Sequence, residues 1–103
     1  MEAQLKRGFI EACVLATVNT RESYGYQIVK DVPASLELTE STLYPVLKRL
    51  EQAGCITVRA AEHNGRLRKY YHITEAGKER IGEFLAAWPA VQDIYRYVEG
   101  AQS

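Results

Sequence analysis

The dipeptide Asn64-Gly65 restricts the folds open to this chain more than any other feature. Both residues tolerate the positive φ that a type I′ turn needs, so the pair predicts a tight β-hairpin. With these residues as the turn, His63 faces Arg66 and the apolar residues of the ladder share one face: Ile56, Val58, Tyr71 and Ile73. The other face carries Thr57, Arg59, Arg68, Tyr70 and His72. The hairpin therefore packs on a core with one face and exposes a cationic face and tip.

Helical spacing precedes the hairpin in three segments. Apolar residues recur through a first helix that ends near the polar stretch "NTRES", and a short second helix follows Ser23, its expected N-cap, and stops before Pro33. After a connector, the third helix covers about residues 40–53, and its apolar face consists of Leu43, Val46, Leu47 and Leu50.

Pro45 lies inside the pattern of the third helix. Proline lacks a backbone N–H and crowds the preceding turn, so helices tolerate it in their first turn and lose stability when it lies deeper. The position of Pro45 therefore predicts that this helix begins near Ser41 or Thr42.

A long last helix is expected after Thr74, a good N-cap. Its apolar residues keep helical spacing: Ile81, Phe84, Leu85, Trp88, Val91, Ile94, Tyr95 and Val98. About 25 residues would form a helix of roughly 37 Å, longer than the remaining elements can cover, so a second copy is expected to cover this stripe together with Leu5. Pro89 predicts a bend or break at Trp88.

Composition narrows the possible functions. A chain of 103 residues supports one modest core, and it shows neither an apolar run of membrane-spanning length nor a signal peptide, which places it in the cytoplasm. Cys13, Cys55 and the two histidines stand apart, and we find no catalytic, metal-binding or cofactor-binding pattern, so an enzyme is not expected. Residues 41–80 carry eight Lys/Arg against four Asp/Glu, whereas both flanking segments are acidic, and a basic middle suits an anionic partner.

The order of elements predicts an α+β, mostly helical fold: a winged helix-turn-helix over residues 1–73, with its wing at 55–73, and a dimerisation helix and tail over 74–103. Two stretches, "STLYPVLKRLEQAG" at 41–54 and "GRLRKYYHITEAG" at 65–77, resemble the signature motifs of the PadR family of bacterial transcriptional regulators. The single C-terminal helix resembles the short subfamily.

This resemblance implies a homodimeric repressor that binds double-stranded DNA, with each third helix in a major groove and the two half-sites about one helical turn apart. On the third helix, the residues opposite and beside the leucine face become candidate DNA contacts: Ser41, Thr42, Tyr44, Pro45, Lys48, Arg49 and Gln52. The wing adds Asn64, Gly65, Arg66, Arg68, Lys69 and Tyr70. Alternatives stay open for three of them, because Tyr44 could pack in the core, Lys69 could cap its edge, and Arg49 could pair with Glu51 or Glu75.

Some short PadR-like regulators hold flat aromatic compounds between paired tryptophans at the dimer centre, and Trp88 stands in the corresponding part of the last helix. The resemblance thus implies a hydrophobic or planar aromatic effector, with Phe9, Ala12 and Val91 as wall residues, that weakens DNA binding. A lone tryptophan that only closes the dimer seam is the structural alternative. Two other functions remain in competition: a winged-helix protein-interaction module, and a carrier of hydrophobic ligands.

Overall fold

The computed structural model describes residues 1 and 3–102. Four α-helices and three β-strands follow one another in the order α1 (Ala3–Thr20), β1 (Ser23–Tyr24), α2 (Gly25–Asp31), α3 (Glu40–Gln52), β2 (Ile56–His63), β3 (Arg66–Ile73) and α4 (Glu75–Gln102), with a short 3-10 helix at Ala34–Leu36. This is the predicted α+β, mostly helical arrangement of a winged helix-turn-helix with a long C-terminal helix. Within the described part of the chain, no helix is long and apolar enough to cross a membrane.

The core lies between α1, α2, α3 and one face of the sheet. It is built from the predicted apolar stripes, and its largest fully buried side chains are Leu15, Ile28, Leu43, Leu47, Leu50, Ile56, Val14 and Val18. Cys55 is buried in this core as a free thiol. Because the leucine face of α3 is fully used in the core, its opposite face points to solvent.

The hairpin has the predicted register. Val58 pairs with Tyr71 and His63 with Arg66, and the turn residues Asn64 and Gly65 have φ of 52° and 80°. Tyr71 is buried whereas Tyr70 is only partly covered, as the alternation predicts.

The sheet has a third strand that the sequence pattern does not reveal. Ser23 and Tyr24 pair with Tyr71 and Tyr70, so the sheet order is β1-β3-β2. The prediction of Ser23 as the N-cap of α2 is wrong, because Ser23 is an extended, buried strand residue and Tyr24 holds the cap position without a side-chain hydrogen bond. Two residues are too few for a periodic signal, so only the neighbouring β3 defines this strand.

The third helix begins at Glu40, slightly before the start inferred from Pro45. Thr39 is its N-cap, and its Oγ1 accepts a hydrogen bond from the backbone N–H of Thr42 at 3.3 Å. With Glu40 as the first helical residue, Pro45 falls in the second turn, where it has no N–H to donate to the carbonyl of Ser41. The range of about residues 40–53 predicted from the leucine spacing matches Glu40–Gln52, whereas the start near Ser41 or Thr42 inferred from Pro45 is one to two residues late, and α3 retains an interior proline.

The last helix begins as predicted but does not break. The N–H of Gly77 donates to Thr74 Oγ1 at 3.1 Å, which caps α4. Helix α4 then continues through Pro89 to Gln102, so of the predicted bend or break at Trp88 the break is wrong, and the bend stays a prediction. The carbonyl of Leu85, which would accept from residue 89, lies on an exposed segment where water can satisfy it. Ser103, the end of the predicted dimerisation segment, lies outside the described residues.

Candidate nucleic-acid interface

Helix α3 presents a polar face to solvent. The predicted contact residues Ser41, Thr42, Pro45, Lys48 and Gln52 are all exposed. Their exposure follows from the amphipathic pattern, since Leu43, Val46, Leu47 and Leu50 occupy the opposite face in the core. The helix therefore carries hydroxyl, ammonium and amide groups outward on a rigid support.

Hydroxyl groups cluster at the N-terminus of this helix. Thr39 Oγ1 lies 3.1 Å from both Ser41 Oγ and Thr42 Oγ1. The positive end of the helix dipole and these hydroxyls favour an anion such as a phosphate. Thr39 was not among the predicted contacts, although a threonine shortly before an apolar-periodic helix is a recognisable N-cap signal.

Tyr44 lies beside the start of α2 and not in the core. Its side chain is 47% exposed, and a Cβ on Gly25 would lie only 2.6 Å from its hydroxyl oxygen. Glycine at position 25 thus leaves the space that the ring of Tyr44 occupies. The structure favours the prediction of Tyr44 as a surface residue over the alternative of a core tyrosine.

An open cleft of about 670 Å³ separates Tyr44 and the start of α2 from the wing. Among the residues that line it, Arg66, Arg68 and Lys69 supply positive charge from β3. Lys69 is exposed at this cleft. The wing tip adds the exposed residues Asn64 and Gly65.

The outer face of the sheet holds a row of stacked groups. The guanidinium of Arg68 lies 3.9 Å from the ring centroid of Tyr24, whose ring meets that of Tyr70 edge to face at 5.9 Å. Arg59 completes the row at 4.8 Å from the ring of Tyr70. Stacking holds Arg68 in one orientation over the cleft while its N–H groups keep their capacity to bind an anion.

Arg59 does not contribute free positive charge to the wing. Its Nε donates to Glu22 Oε2 at 2.9 Å, and a second hydrogen bond joins the guanidinium to the other carboxylate oxygen. These hydrogen bonds lower the pKa of Glu22 and raise the pKa of Arg59. The cationic face predicted for the hairpin is consequently narrower than expected and concentrated near Arg68 and the tip.

Sequence reasoning missed several residues at this cleft. Tyr24 and Tyr26 line it from the start of α2, and Leu67 at the wing tip is 80% exposed. The signal for Leu67 was present in the predicted register, which places it next to the turn and beyond the reach of the core. The role of Tyr24 depends on β1, which the pattern did not reveal.

Arg49 has neither of the ionic partners considered for it. Glu75 pairs with Lys78 at 3.6 Å, and no ion pair joins Arg49 to Glu51 in the described residues. Its Nε is buried and has no hydrogen-bond partner in that same part of the chain. The side chain lies on the flank of α3 that faces α1.

The proposed effector residues form a partly exposed aromatic cluster. Phe9 lies 6.1 Å from Trp88 and 6.0 Å from Phe84, measured between ring centroids. Trp88 is 39% exposed, and Ala12 and Val91 are not buried. The structure thus brings Phe9 and Trp88 together at the surface of one chain.

The residues predicted for the dimer seam are mostly uncovered within one chain. Ile81 and Phe84 are half-buried against α1, whereas the others are exposed: Leu5, Leu85, Val91, Ile94, Tyr95 and Val98. An exposed apolar stripe of this length along one helix is unusual for the surface of a monomer.

Comparisons with known proteins agree with this geometry. The family model described as the transcriptional regulator PadR-like family matches residues 14–83. A solved structure from Streptococcus mutans is 38% identical, with a TM-score of 0.73 and coverage of 91% of this chain and 90% of that chain. A PadR-like transcriptional regulator of Bacillus cereus is 30% identical, with a TM-score of 0.75 and coverage of 93% and 96%. A transcriptional regulator of Mycobacterium tuberculosis is 27% identical over 97% of this chain and 92% of its own length.

Proposed function

Because this chain belongs to the PadR-like family of transcriptional regulators, we propose that it is a homodimeric repressor acting on DNA in the cytoplasm. The resemblance based on the two sequence motifs is confirmed. Regulators of this family are not enzymes. The proposal adds to the family assignment that α3 of each protomer reads one half-site of an inverted repeat, with the half-sites about one helical turn apart.

One observation carries this proposal: the polar face of α3 stands exposed beside a cationic wing. An α-helix fits the major groove of DNA, and positive side chains beside it can meet the phosphates that border the groove. Lys48 and Gln52 lie at the exposed centre of this face of α3 and contact the edges of the bases. The DNA backbone phosphates are contacted by Arg66, Arg68 and Lys69.

The test is a titration of the purified protein with the DNA upstream of its own gene at two salt concentrations. Tight binding that weakens steeply with salt, and that random DNA competes away poorly, supports the repressor. Absence of binding at low salt from a folded dimer would contradict it. That result would favour the protein-interaction module or the carrier of hydrophobic ligands.

The proposal of a homodimer is based on the exposed apolar stripe of α4. Tyr95 and Tyr97 provide a matched pair for testing it, because both are exposed, at 64% and 78%, and two residues are about 200° apart around a helix. Tyr95 lies on the same side as Trp88, and Tyr97 lies on the opposite side. Tyr95→Glu places a charge in the seam and should raise the dimer dissociation constant at least about tenfold in sedimentation experiments. Equal behaviour of Tyr95→Glu and Tyr97→Glu would argue against this seam.

A planar hydrophobic effector is the finer part of the proposal. The half-exposed indole of Trp88 beside Phe9 and Phe84 offers aromatic surface for a flat ligand. Trp88 is the only tryptophan, so its fluorescence reports this place alone. The proposal expects a planar compound that both quenches the fluorescence and weakens DNA binding. Constant fluorescence and constant DNA affinity across a panel of planar drugs and dyes would refute it.

A further inference from the structure

A groove runs between α1 and α3 on the side of α3 that faces away from the wing. It has a volume of about 510 Å³, and each helix lines it with one stripe at i, i+3, i+4 and i+7: Ala3, Lys6, Arg7 and Ile10 from α1, and Thr42, Pro45, Val46 and Arg49 from α3. Around α3, the exposed centre at Lys48 has Arg49 and Thr42 on one flank and Tyr44 on the other. The DNA-facing surface of α3 therefore lies between two open clefts.

The groove is electropositive. Lys6, Arg7 and Arg49 line it, and its lining includes no acidic side chain among the residues that the structure describes. None of these three cations forms an ion pair in residues 1 and 3–102.

Arg49 is the cation that α3 contributes to the groove. Its Nε is buried without a hydrogen-bond partner in the described chain, although a buried donor that lacks a partner costs about 1–3 kcal/mol. Ile10 and Val46 form an apolar floor, each 4% exposed, which limits the water around the cations. A groove lined by three cations that form no ion pair within the described residues suits an oxyanion.

We propose that this groove binds a backbone phosphate of DNA, on the strand across the major groove from the one that the wing contacts. This inference rests on the proposed function, because it takes α3 to lie in the groove. A major groove about 12 Å wide has a phosphate backbone on each side of an inserted helix. The wing cations reach one backbone, and Lys6, Arg7 and Arg49 reach the other.

In this arrangement Pro45 also has a functional role. Its ring lies at the rim between the exposed centre of α3 and the groove. A proline there adds no N–H, has a compact ring and leaves the approach to Arg49 open. The α1 cations act as positioning residues that set the depth and angle of α3 in the DNA, and they carry no sequence preference of their own.

The test compares Lys6→Ala, Arg7→Ala and the double variant with the full wild-type chain. Two duplexes of equal length serve as probes, one from the DNA upstream of the gene and one of random sequence, each titrated at several salt concentrations. Each lost phosphate contact lowers the slope of log K against log salt by about 0.9, so a symmetric dimer loses about 2 per single variant and about 4 in the double variant. The affinity of the double variant at low salt falls at least about tenfold on both duplexes.

Lys78→Ala is the matched control. Lys78 is an exposed cation at the start of α4, paired with Glu75 at 3.6 Å and outside the lining of both clefts. Its removal leaves the salt slope unchanged.

Three results would overturn the phosphate site while leaving the repressor intact. The α1 variants could bind with the wild-type slope, they could lose affinity for only one of the two sequences, or sedimentation could show that they dissociate the dimer and recover the full slope at high protein concentration. Wild-type protein that binds neither duplex at low salt would refute the repressor itself, and the phosphate site with it.

Discussion

Gly77 joins the wing to the last helix, and replacing it offers a quantitative test of the packing there. A Cβ at position 77 would lie 2.7 Å from Cγ1 of Ile73 and closer still to the carbonyl oxygen of Cys55. Ordinary contact begins at 3.4 Å, so Gly77→Ala must move α4 away from the sheet by more than about 0.7 Å.

Two penalties add in this variant. Overpacking of a tight site costs about 1–3 kcal/mol. The Cys55 carbonyl also accepts the backbone N–H of Thr74 at 3.0 Å, and loss of that hydrogen bond costs about 0.5–1.5 kcal/mol more. We expect Gly77→Ala to lower the free energy of unfolding by about 2–4 kcal/mol and the Tm by more than about 10 °C.

Gly82→Ala is the matched control in the same helix. A Cβ at position 82 meets nothing within 4 Å, so alanine there should stabilise the helix by about 0.5–1 kcal/mol. Urea unfolding and calorimetry at one protein concentration measure both variants, since association raises apparent stability. If Gly77→Ala unfolds at the wild-type midpoint, α4 does not approach Cys55 this closely.

Three further predictions concern α3 and the wing. Lys48→Ala should weaken binding to operator DNA by about 1–3 kcal/mol and leave binding to random DNA unaffected. Arg68→Ala should weaken binding to operator and random DNA alike and lower the slope of log K against log salt by about 1 per protomer. If the two variants lose the same affinity on both kinds of DNA, the assignment of Lys48 to bases and Arg68 to the backbone is contradicted. Pro45→Ala restores an N–H for the Ser41 carbonyl, so the free energy of unfolding measured in urea should rise by about 1–3 kcal/mol. A fall in that free energy would show that Pro45 does not strain the helix. Burial, followed by the charges of Tyr44 and Glu51, raises the pKa of Tyr71, so the folded chain holds this proton to higher pH than the unfolded chain does. The contribution of the protonated Tyr71 to the free energy of unfolding is complete below the unfolded pKa of about 10 and is lost as the pH rises above it. In Tyr71→Phe, the free energy of unfolding should therefore fall measurably less between pH 9 and pH 11 than in the wild type.

The local sequence pattern predicted the structure correctly wherever the residues of one short segment determine it. Asn64-Gly65 and the alternation around it determine the hairpin register, because a slip by one residue would turn Tyr71 out of the core. The leucine spacing of α3 likewise determines which face of the helix is buried and, by exclusion, that Lys48 and Gln52 are exposed.

Local pattern failed where the energy of a segment comes from its neighbours. Strand β1 has two residues and exists because β3 offers hydrogen bonds beside it. Pro89 should end a helix by local preference, yet α4 continues. Pro45 should lie in a first turn, yet it lies in the second turn of α3, which Thr39 caps. In the two helices, the remaining helical hydrogen bonds outweigh the cost of one proline, about 3 kcal/mol.

The sequence by itself determined the order of elements, the hairpin register, the buried face of α3 and the family, because these depend on spacing within continuous segments. Only the tertiary structure decided which charges are free. Glu22 neutralises Arg59 across 37 residues of chain, and Lys6 and Arg7 come to lie beside Arg49 through the packing of α1 on α3. Coulombic interactions act through space, so the charges available to a phosphate backbone depend on which elements the fold brings together.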